Sequence, residues 1–405
     1  MKYLVLLCDG MADLPVPELE GKTPMECAHK PNMEALAEIG EVGMQHPTPP
    51  GCIGGSDTGN MSVLGFDPRL YLTGRSPLEA AALGIQMADD DAALRCNLVT
   101  LSEEEPYEQK TMVDYSADEI TTEEAAKLIE AVSDVFSNDA LQFYPGFSYR
   151  HCLILHHAAE HIAMTLTPPH NITTQKITEY LPAGDYSALL ADMMRRSFDI
   201  LNHHPVNEAR RARGLRPANS IWLWGQGTKP GMKPFTERHG LRGAMITAVD
   251  LLKGMANLTG MKIYEVEGAT GNLDTNFSGK AEAAVTAFKD GYDLVYLHLE
   301  APDECGHRHE VEGKIQAIEK IDELVLGPVL SYLKEQGEFG VLITPDHPTP
   351  LTTRKHSNAP VPYLIYKTDM KQPHPCSGVF CEKNAEATGV VEENGFELIQ
   401  RMVRM

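Results

Sequence analysis

Three short apolar runs, YLVLLC, DLVYLHL and FGVLIT, each lead into an acidic residue: Asp9, Asp303 and Asp346. Runs of this length, set between helical patterns, predict buried strands of a parallel sheet. Between the first run and residue 90 the pattern predicts a short helix over Asn32–Ile39, ended by Gly40. The turn-rich segment HPTPPGCIGG follows, then a Ser-headed stretch, SDTGNMSVLG, that looks like a helix N-terminus. A further helix is predicted at EAAALGIQM.

From about residue 90 the texture changes. RCNLVTL, QKTMVDY and SYRHCLILHH alternate as half-exposed antiparallel strands do. Thr121 and Glu124 have the spacing of a capping box that opens a helix to Phe136, with Ala125, Leu128, Ile129 and Val132 on one face. Ser187–Leu201 reads as a second helix. The arginines of VNEARRARG and its neighbourhood (Arg210, Arg211, Arg213, Arg216) suit either a basic hinge or mouth, or a solvated helix face. The α/β rhythm then returns with strands at GAMIT, KIYEV, DLVYLHL, FGVLIT and VPYLIY and helices near 249–258, 278–289 and 312–336. The expected class is therefore α/β, with a core formed by residues 1–76 and 233–405 and an α+β insert over 77–232. A chain of 405 residues is long enough for such a division at ~150 residues per domain.

Asp+Glu 57 against Lys+Arg 35 gives a net charge of −22. That field argues against nucleic acid and anionic lipid as partners. It also requires that an anionic substrate meet a local cation, which a bound metal can supply. The apolar run after Lys2 is too short for a secretory h-region, and no stretch approaches a membrane span. Eight scattered cysteines without a CxxC pair suggest reduced thiols and a cytoplasmic protein.

Open α/β sheets bind ligands beyond the carboxyl ends of their strands. Asp9, Asp303 and Asp346 are expected to meet there, with His307 four residues after Asp303, His347 next to Asp346, and His356 ten residues after Asp346. Carboxylate and imidazole together suit Mn²⁺, Zn²⁺ or Mg²⁺. These residues exceed the needs of one ion with open positions, and two ions ~4 Å apart would use them well. Ser56 heads the Gly-rich segment. A metal favours the alkoxide of a coordinated hydroxyl, and a helix N-terminus offers N–H groups to a phosphoryl group. In-line attack of Ser56 on phosphorus is the expected chemistry. The nucleotide-binding phosphate loop, the GxSxG elbow and HExxH are absent.

LLCDGMAD, IGGSDTGNMSVLGFDP, TGRSPLEAAALGI, RCNLVT, VEGATGNLDTNF, APDECGHRHEVEGKIQAIEKID and TPDHPTP resemble the archaeal-type cofactor-independent (2,3-bisphosphoglycerate-independent) phosphoglycerate mutases of the alkaline phosphatase superfamily. The resemblance covers nearly the whole length. It implies an alkaline-phosphatase-like α/β/α core with an inserted cap domain, and two divalent ions, usually Mn²⁺, with Mg²⁺, Co²⁺ and Zn²⁺ also suited to the ligands. One ion would be held by Asp9, Ser56, Asp346 and His347, and the other by Asp303, His307 and His356. Ser56 would take the phosphate of 3-phosphoglycerate and return it to the 2-hydroxyl. Arg75, Arg150 and His151 are the cap's candidates for holding this small phosphorylated hydroxy acid. One stretch differs: where these mutases commonly carry Asp-Arg-x-Ala-Gly-Arg, this chain has VDYSADEI. A proposed homoserine kinase subgroup resembles the chain in VDYSA, PANSIWLWGQG and NLDTNF, which implies phosphotransfer to a small hydroxy acid as the alternative activity.

Overall fold

The structure is a computed structural model that describes residues 1–404. The chain divides into two compact units, one of Met1–Leu72 with Met232–Met405 and the other of Thr73–Gly231.

The first unit is built on an eight-stranded sheet. Its strands run in the order Lys262–Ile263, Gly243–Ile246, Leu294–Leu299, Lys2–Cys8, Phe339–Thr344, Val361–Lys367, Glu41–Gln45 and Val391–Glu392. The first five are parallel, and Val361–Lys367 is antiparallel to both of its neighbours. Leu4 to Cys8, Leu294 to Leu299 and Val341 to Thr344 are wholly buried. That explains why these strands read as unbroken apolar runs rather than as alternating ones: both faces of the sheet are covered. The helix Phe277–Lys289 contributes Phe277, Ala281, Ala284, Ala287 and Phe288 to one core with Val295, Leu297 and Val341.

The long helix expected over 312–336 is present, but it is not uniform. Val311–Lys320 and Gly327–Gln336 are α-helical, and Ile321–Leu326 between them is a π-helix. Buried Asp322 lies in that π segment. Its carboxylate accepts the N–H groups of Asn32 and Met33 at 3.1 and 2.8 Å. These are the first donors of the helix Pro31–Ala37, whose own N-cap residue, Lys30, supplies no acceptor. A distant side chain thus does the capping that local sequence lacks.

The second unit is antiparallel. Ala92–Leu101 is paired along one edge by Ser220–Thr228 and along the other by Arg150–Leu155 and, at its end, Met112–Asp114. Leu141–Phe147 lies beyond Arg150–Leu155. The helices Thr122–Phe136 and Ser187–Leu201 have the expected extents and bury their apolar faces against this sheet in one core. Only half of the capping box forms. The Thr121 hydroxyl accepts from Glu124 N, but the Glu124 carboxylate turns to Arg210 and Arg213. Of the arginines around VNEARRARG, Arg213 and Arg216 are about half exposed and Arg210 is buried. Arg210 is 2 % exposed and bonds to Glu124 and to Ala117 O, and Arg216 bonds to Asp114 and Asp118.

Candidate metal centre and active site

Three adjacent strands deliver the acids. Cys8 ends the central strand beside Leu299, and Leu7 lies beside Thr344. Asp9 and Asp346 therefore leave the same edge of the sheet as the chain that enters the helix Ala301–Arg308, where Asp303 sits in the first turn. Gly10 has φ +60°, and a Cβ there would lie 2.6 Å from Asp303 Cα, so only glycine permits this approach. Gly59 is constrained in the same way, with a Cβ position 2.4 Å from Asp346 O. Ser56 opens the helix Ser56–Val63. Its N-cap, Gly55, gives no side-chain cap, and Asp57 Oδ1 accepts the Thr58 N–H at 2.9 Å, which leaves the N–H groups of Ser56 and Asp57 without a side-chain acceptor.

The structure brings together Asp9, Ser56, Asp303, His307, Asp346, His347 and His356. Two groups of donors each lie within 4.8 Å: Asp9 with Asp346 and His347, and Asp303 with His347 and His356. His347 Nε2 is 3.2 Å from Ser56 Oγ, 3.5 Å from Asp9 Oδ1 and 3.4 Å from Asp346 Oδ2. His307 Nε2 is 2.9 Å from His356 Nε2 and 3.2 Å from Asp303 Oδ2, and His356 Nε2 is 3.5 Å from Asp303 Oδ1. Bonds of ~2.1 Å to one ion place neighbouring donors ~3.0–3.4 Å apart, which matches these spacings. Buried Asp9 Oδ1 has no hydrogen-bond partner, as a donor atom kept for a cation should be. The residues present fit a pair of divalent cations.

Hydrogen bonds behind the site set the tautomers. His307 Nδ1 donates to Arg354 O at 3.0 Å, which leaves the Nε2 lone pair facing inward. The Thr349 hydroxyl donates to Asp303 Oδ1 and sits 3.2 Å from His347 Nδ1, so Nδ1–H of His347 donates to it and that Nε2 also keeps its lone pair. Asp346 accepts from Gly10 N at 3.3 Å and from Asn60 Nδ2 at 2.7 Å, and Tyr296 Oη donates to Asn60 Oδ1 at 2.8 Å.

Charge reinforces the picture. Burial, then repulsion from Asp346 and Asp303, raises Asp9 well above the ordinary carboxylate range. The hydrogen bond between His307 and Asp303 favours a second proton on the imidazole and pushes it up to about 9, a proton whose place at Nε2 a bound cation would take. Burial holds His347 below its usual value. Glu300, at the end of Leu294–Leu299, is pushed up to about 7 by burial and by Asp303 and Glu304. So many acids in a buried space are tolerable only against positive charge.

The three other sequence candidates belong to the second unit. Arg75 is exposed, with Nε 3.6 Å from Glu79 Oε1. Arg150 is exposed, its guanidinium 5.5 Å from the Tyr149 ring. His151 is 4 % exposed, and its Nδ1 accepts the Gly146 N–H at 2.9 Å, so it braces the irregular end of the strand Leu141–Phe147. Sequence reasoning missed Arg95. Its Nε is 2.7 Å from Glu79 Oε2 and its guanidinium lies 4.5 Å over the Trp224 ring. Burial, with repulsion from Arg75 and Arg150, lowers its pKa. Arg75 and Arg95 thus share the single carboxylate of Glu79, and Arg150 lies near enough to Arg95 to repel it. Asn60, Thr349 and His298 were missed as well. Asn60 alone had a signal, its i+4 spacing from Ser56.

Fold and site together define a metal-dependent phosphoryl-transfer enzyme of the α/β class. A family model described as 2,3-bisphosphoglycerate-independent phosphoglycerate mutase matches residues 37–207. The chain is 45 % identical over 407 residues to a 2,3-bisphosphoglycerate-independent phosphoglycerate mutase of Methanosarcina barkeri, with 100 % of each chain covered. It is 48 % identical over 366 residues to the one from Methanothrix thermoacetophila, covering 90 % of each. Among solved structures, a protein from Pyrococcus horikoshii superposes with TM-score 0.81 at 32 % identity, covering 100 % of this chain and 96 % of that one. The cofactor-independent phosphoglycerate mutase of Thermoplasma acidophilum shares the fold at TM-score 0.68 and 24 % identity, covering 100 % and 99 %. The chain belongs to the 2,3-bisphosphoglycerate-independent phosphoglycerate mutase family.

Proposed function

We propose that this protein interconverts 3-phosphoglycerate and 2-phosphoglycerate through a phosphoserine on Ser56. The observation that carries the reading is the convergence of Asp9, Asp303, Asp346, His307, His347 and His356 into one cluster of donors, with His347 Nε2 3.2 Å from the Ser56 hydroxyl, in a chain of this family. Asp9, Ser56, Asp346 and His347 would hold one cation and Asp303, His307 and His356 the other, with Mn²⁺ as the proposed metal. When bound, the ions supply positive charge that eases loss of the Ser56 proton and offsets crowding of phosphoryl oxygens.

The rest falls to the chain's own groups. Ser56 Oγ forms a bond to phosphorus as the bond to the 3-oxygen of the substrate breaks, and the leaving oxygen takes up a proton. The N–H groups of Ser56 and Asp57, at the start of Ser56–Val63, donate to the phosphoryl oxygens. Glycerate then turns, and its 2-hydroxyl takes the phosphoryl group back from Ser56. Arg75, Arg95 and Arg150 are offered as the contacts that hold the glycerate's anionic groups while it turns. His151 is offered only as a support beneath Arg150. The insert is thus read as the substrate domain. A cytoplasmic setting accompanies the reading and suits eight unpaired cysteines. Among the described residues no helix is long and apolar enough to cross a membrane.

One observation favours a second reading, phosphotransfer to homoserine or a related small hydroxy acid. In VDYSADEI, Asp114 and Asp118 bond to Arg216, so this loop presents no arginine of its own. The test is direct. Protein loaded with Mn²⁺ is given 3-phosphoglycerate and 2-phosphoglycerate is followed through enolase, while ATP with homoserine is assayed in parallel. Enolase-coupled product supports the mutase reading. Product only in the second assay replaces it with the kinase reading.

A further inference from the structure

His298 lies on Leu294–Leu299 with its side chain wholly buried between two fixed partners. Nε2 is 2.8 Å from Asp9 Oδ2, and Nδ1 is 3.2 Å from Thr247 Oγ1. The Thr247 hydroxyl already accepts the Val249 N–H at 3.0 Å, so its own proton is free to go to Nδ1. The imidazole proton then sits on Nε2 and points at Asp9. Lys280 Nζ donates to the His298 carbonyl at 3.1 Å and helps hold the residue in place. This orientation is opposite to that of His307 and His347, whose Nδ1 atoms donate backwards and whose Nε2 atoms face the donor cluster.

Asp9 is correspondingly asymmetric. Oδ2 is taken by His298, while Oδ1 has no hydrogen-bond partner and lies 3.5 Å from His347 Nε2. The terminal torsion of an aspartate is broad and nearly two-fold. Nothing in Asp9 itself decides which oxygen faces Asp346 and His347.

We propose that His298 is a positioning residue for the cation held by Asp9: through an Nε2–H donor it fixes one Asp9 oxygen and presents the other to the ion. The inference rests on the reading of the site given under the proposed function. Second-row donors of this kind typically change metal affinity by about 10- to 100-fold.

The test is a Mn²⁺ titration of the full chain by isothermal calorimetry without substrate, beside 3-phosphoglycerate kinetics at saturating Mn²⁺. His298→Leu is expected to bind the ion of the Asp9 group about 10- to 100-fold more weakly, to leave the ion of the Asp303 group unchanged, and to regain most of its kcat when Mn²⁺ is raised, with KM little altered. His298→Gln, which keeps an N–H donor near the place of Nε2, is expected to recover most of the affinity. A general packing role would weaken both ions alike and would not be rescued by Gln. If His298→Leu does not fold, Thr247→Val removes the hydroxyl that sets the tautomer and should weaken the same ion by a smaller factor. Wild-type affinity at both sites in folded His298→Leu, or in Thr247→Val where Leu is not tolerated, overturns the inference while sparing the cation cage. Absence of Mn²⁺ binding by the wild type overturns both.

Discussion

Asn60 donates to Asp346 at 2.7 Å from the same Nδ2 that reaches Ser56 O at 2.9 Å. One amide thus keys the helix carrying the nucleophile to the acid after Phe339–Thr344, 286 residues away. Both partners are buried, and the acceptor is a carboxylate, where a hydrogen bond is worth about 1.5–3 kcal/mol. Asn60→Ala should therefore lower the unfolding free energy by about 2 kcal/mol in denaturant melts and weaken the ion of the Asp9 group. Unchanged stability and unchanged Mn²⁺ affinity would mean that the key is idle.

The cage predicts a stoichiometry. Wild-type protein should bind two Mn²⁺ per chain, and Asp9→Asn and Asp303→Asn should each lose one and keep the other. Elemental analysis after dialysis against Mn²⁺ reads this out. A variant that loses both ions would indicate one coupled site, and a wild type that holds a single ion would contradict the two-group reading of the donors.

The guanidiniums of Arg95 and Arg150 predict a substrate effect. If Arg95 holds an anionic group of the substrate, Arg95→Met removes a charge-assisted hydrogen bond and should raise KM for 3-phosphoglycerate by about 10- to 100-fold. The exposed Arg150→Met should act in the same direction with less effect on folding. Steady-state kinetics on both variants, with circular dichroism to confirm folding, decide the point. KM values equal to wild type in both would return these arginines to a structural role.

His151 predicts a pH dependence of stability. Burial pushes its pKa down to about 3 from an ordinary value of 6.5. The unfolded chain takes up a proton on His151 below about pH 6.5, while the folded chain does not until about pH 3. Stability is therefore lost as the pH falls through that window. His151→Asn keeps an acceptor for the Gly146 N–H but cannot titrate. Between pH 6.5 and 4.5 the wild type should lose about 2 kcal/mol more than this variant in denaturant melts. Parallel losses would show that His151 is protonated in the folded state.

The parallel strands were legible because burial on both faces writes an unbroken apolar run, and the acids were legible because they stand where such runs stop. Asp9 and Asp346 needed no more than that, whereas Asp303 stands beyond Glu300 in the following helix and needed its i+4 partner His307 as well. Thr349 and His298 were not, since each acts through a partner far along the chain, and no local pattern records a hydrogen bond over such a distance; Asn60 showed only its i+4 spacing from Ser56, which says nothing of Asp346. Glu124 shows the same limit from the other side. Its spacing from Thr121 suited a capping box, but Arg210 and Arg213, brought near by the fold, compete for its carboxylate and win it. The π segment escaped notice because Ile321–Leu326 carries an ordinary helical pattern and departs from it where buried Asp322 caps Pro31–Ala37.

Chemical quench of the Mn²⁺-loaded protein during turnover of 3-phosphoglycerate labelled in its phosphate, followed by peptide mapping, asks where the phosphoryl group rests between its two positions. Label on the peptide containing Ser56, formed and discharged at the rate of turnover and missing from an inactive Ser56→Ala variant, is the predicted result. Turnover that leaves Ser56 unlabelled, or that survives Ser56→Ala, would contradict the account.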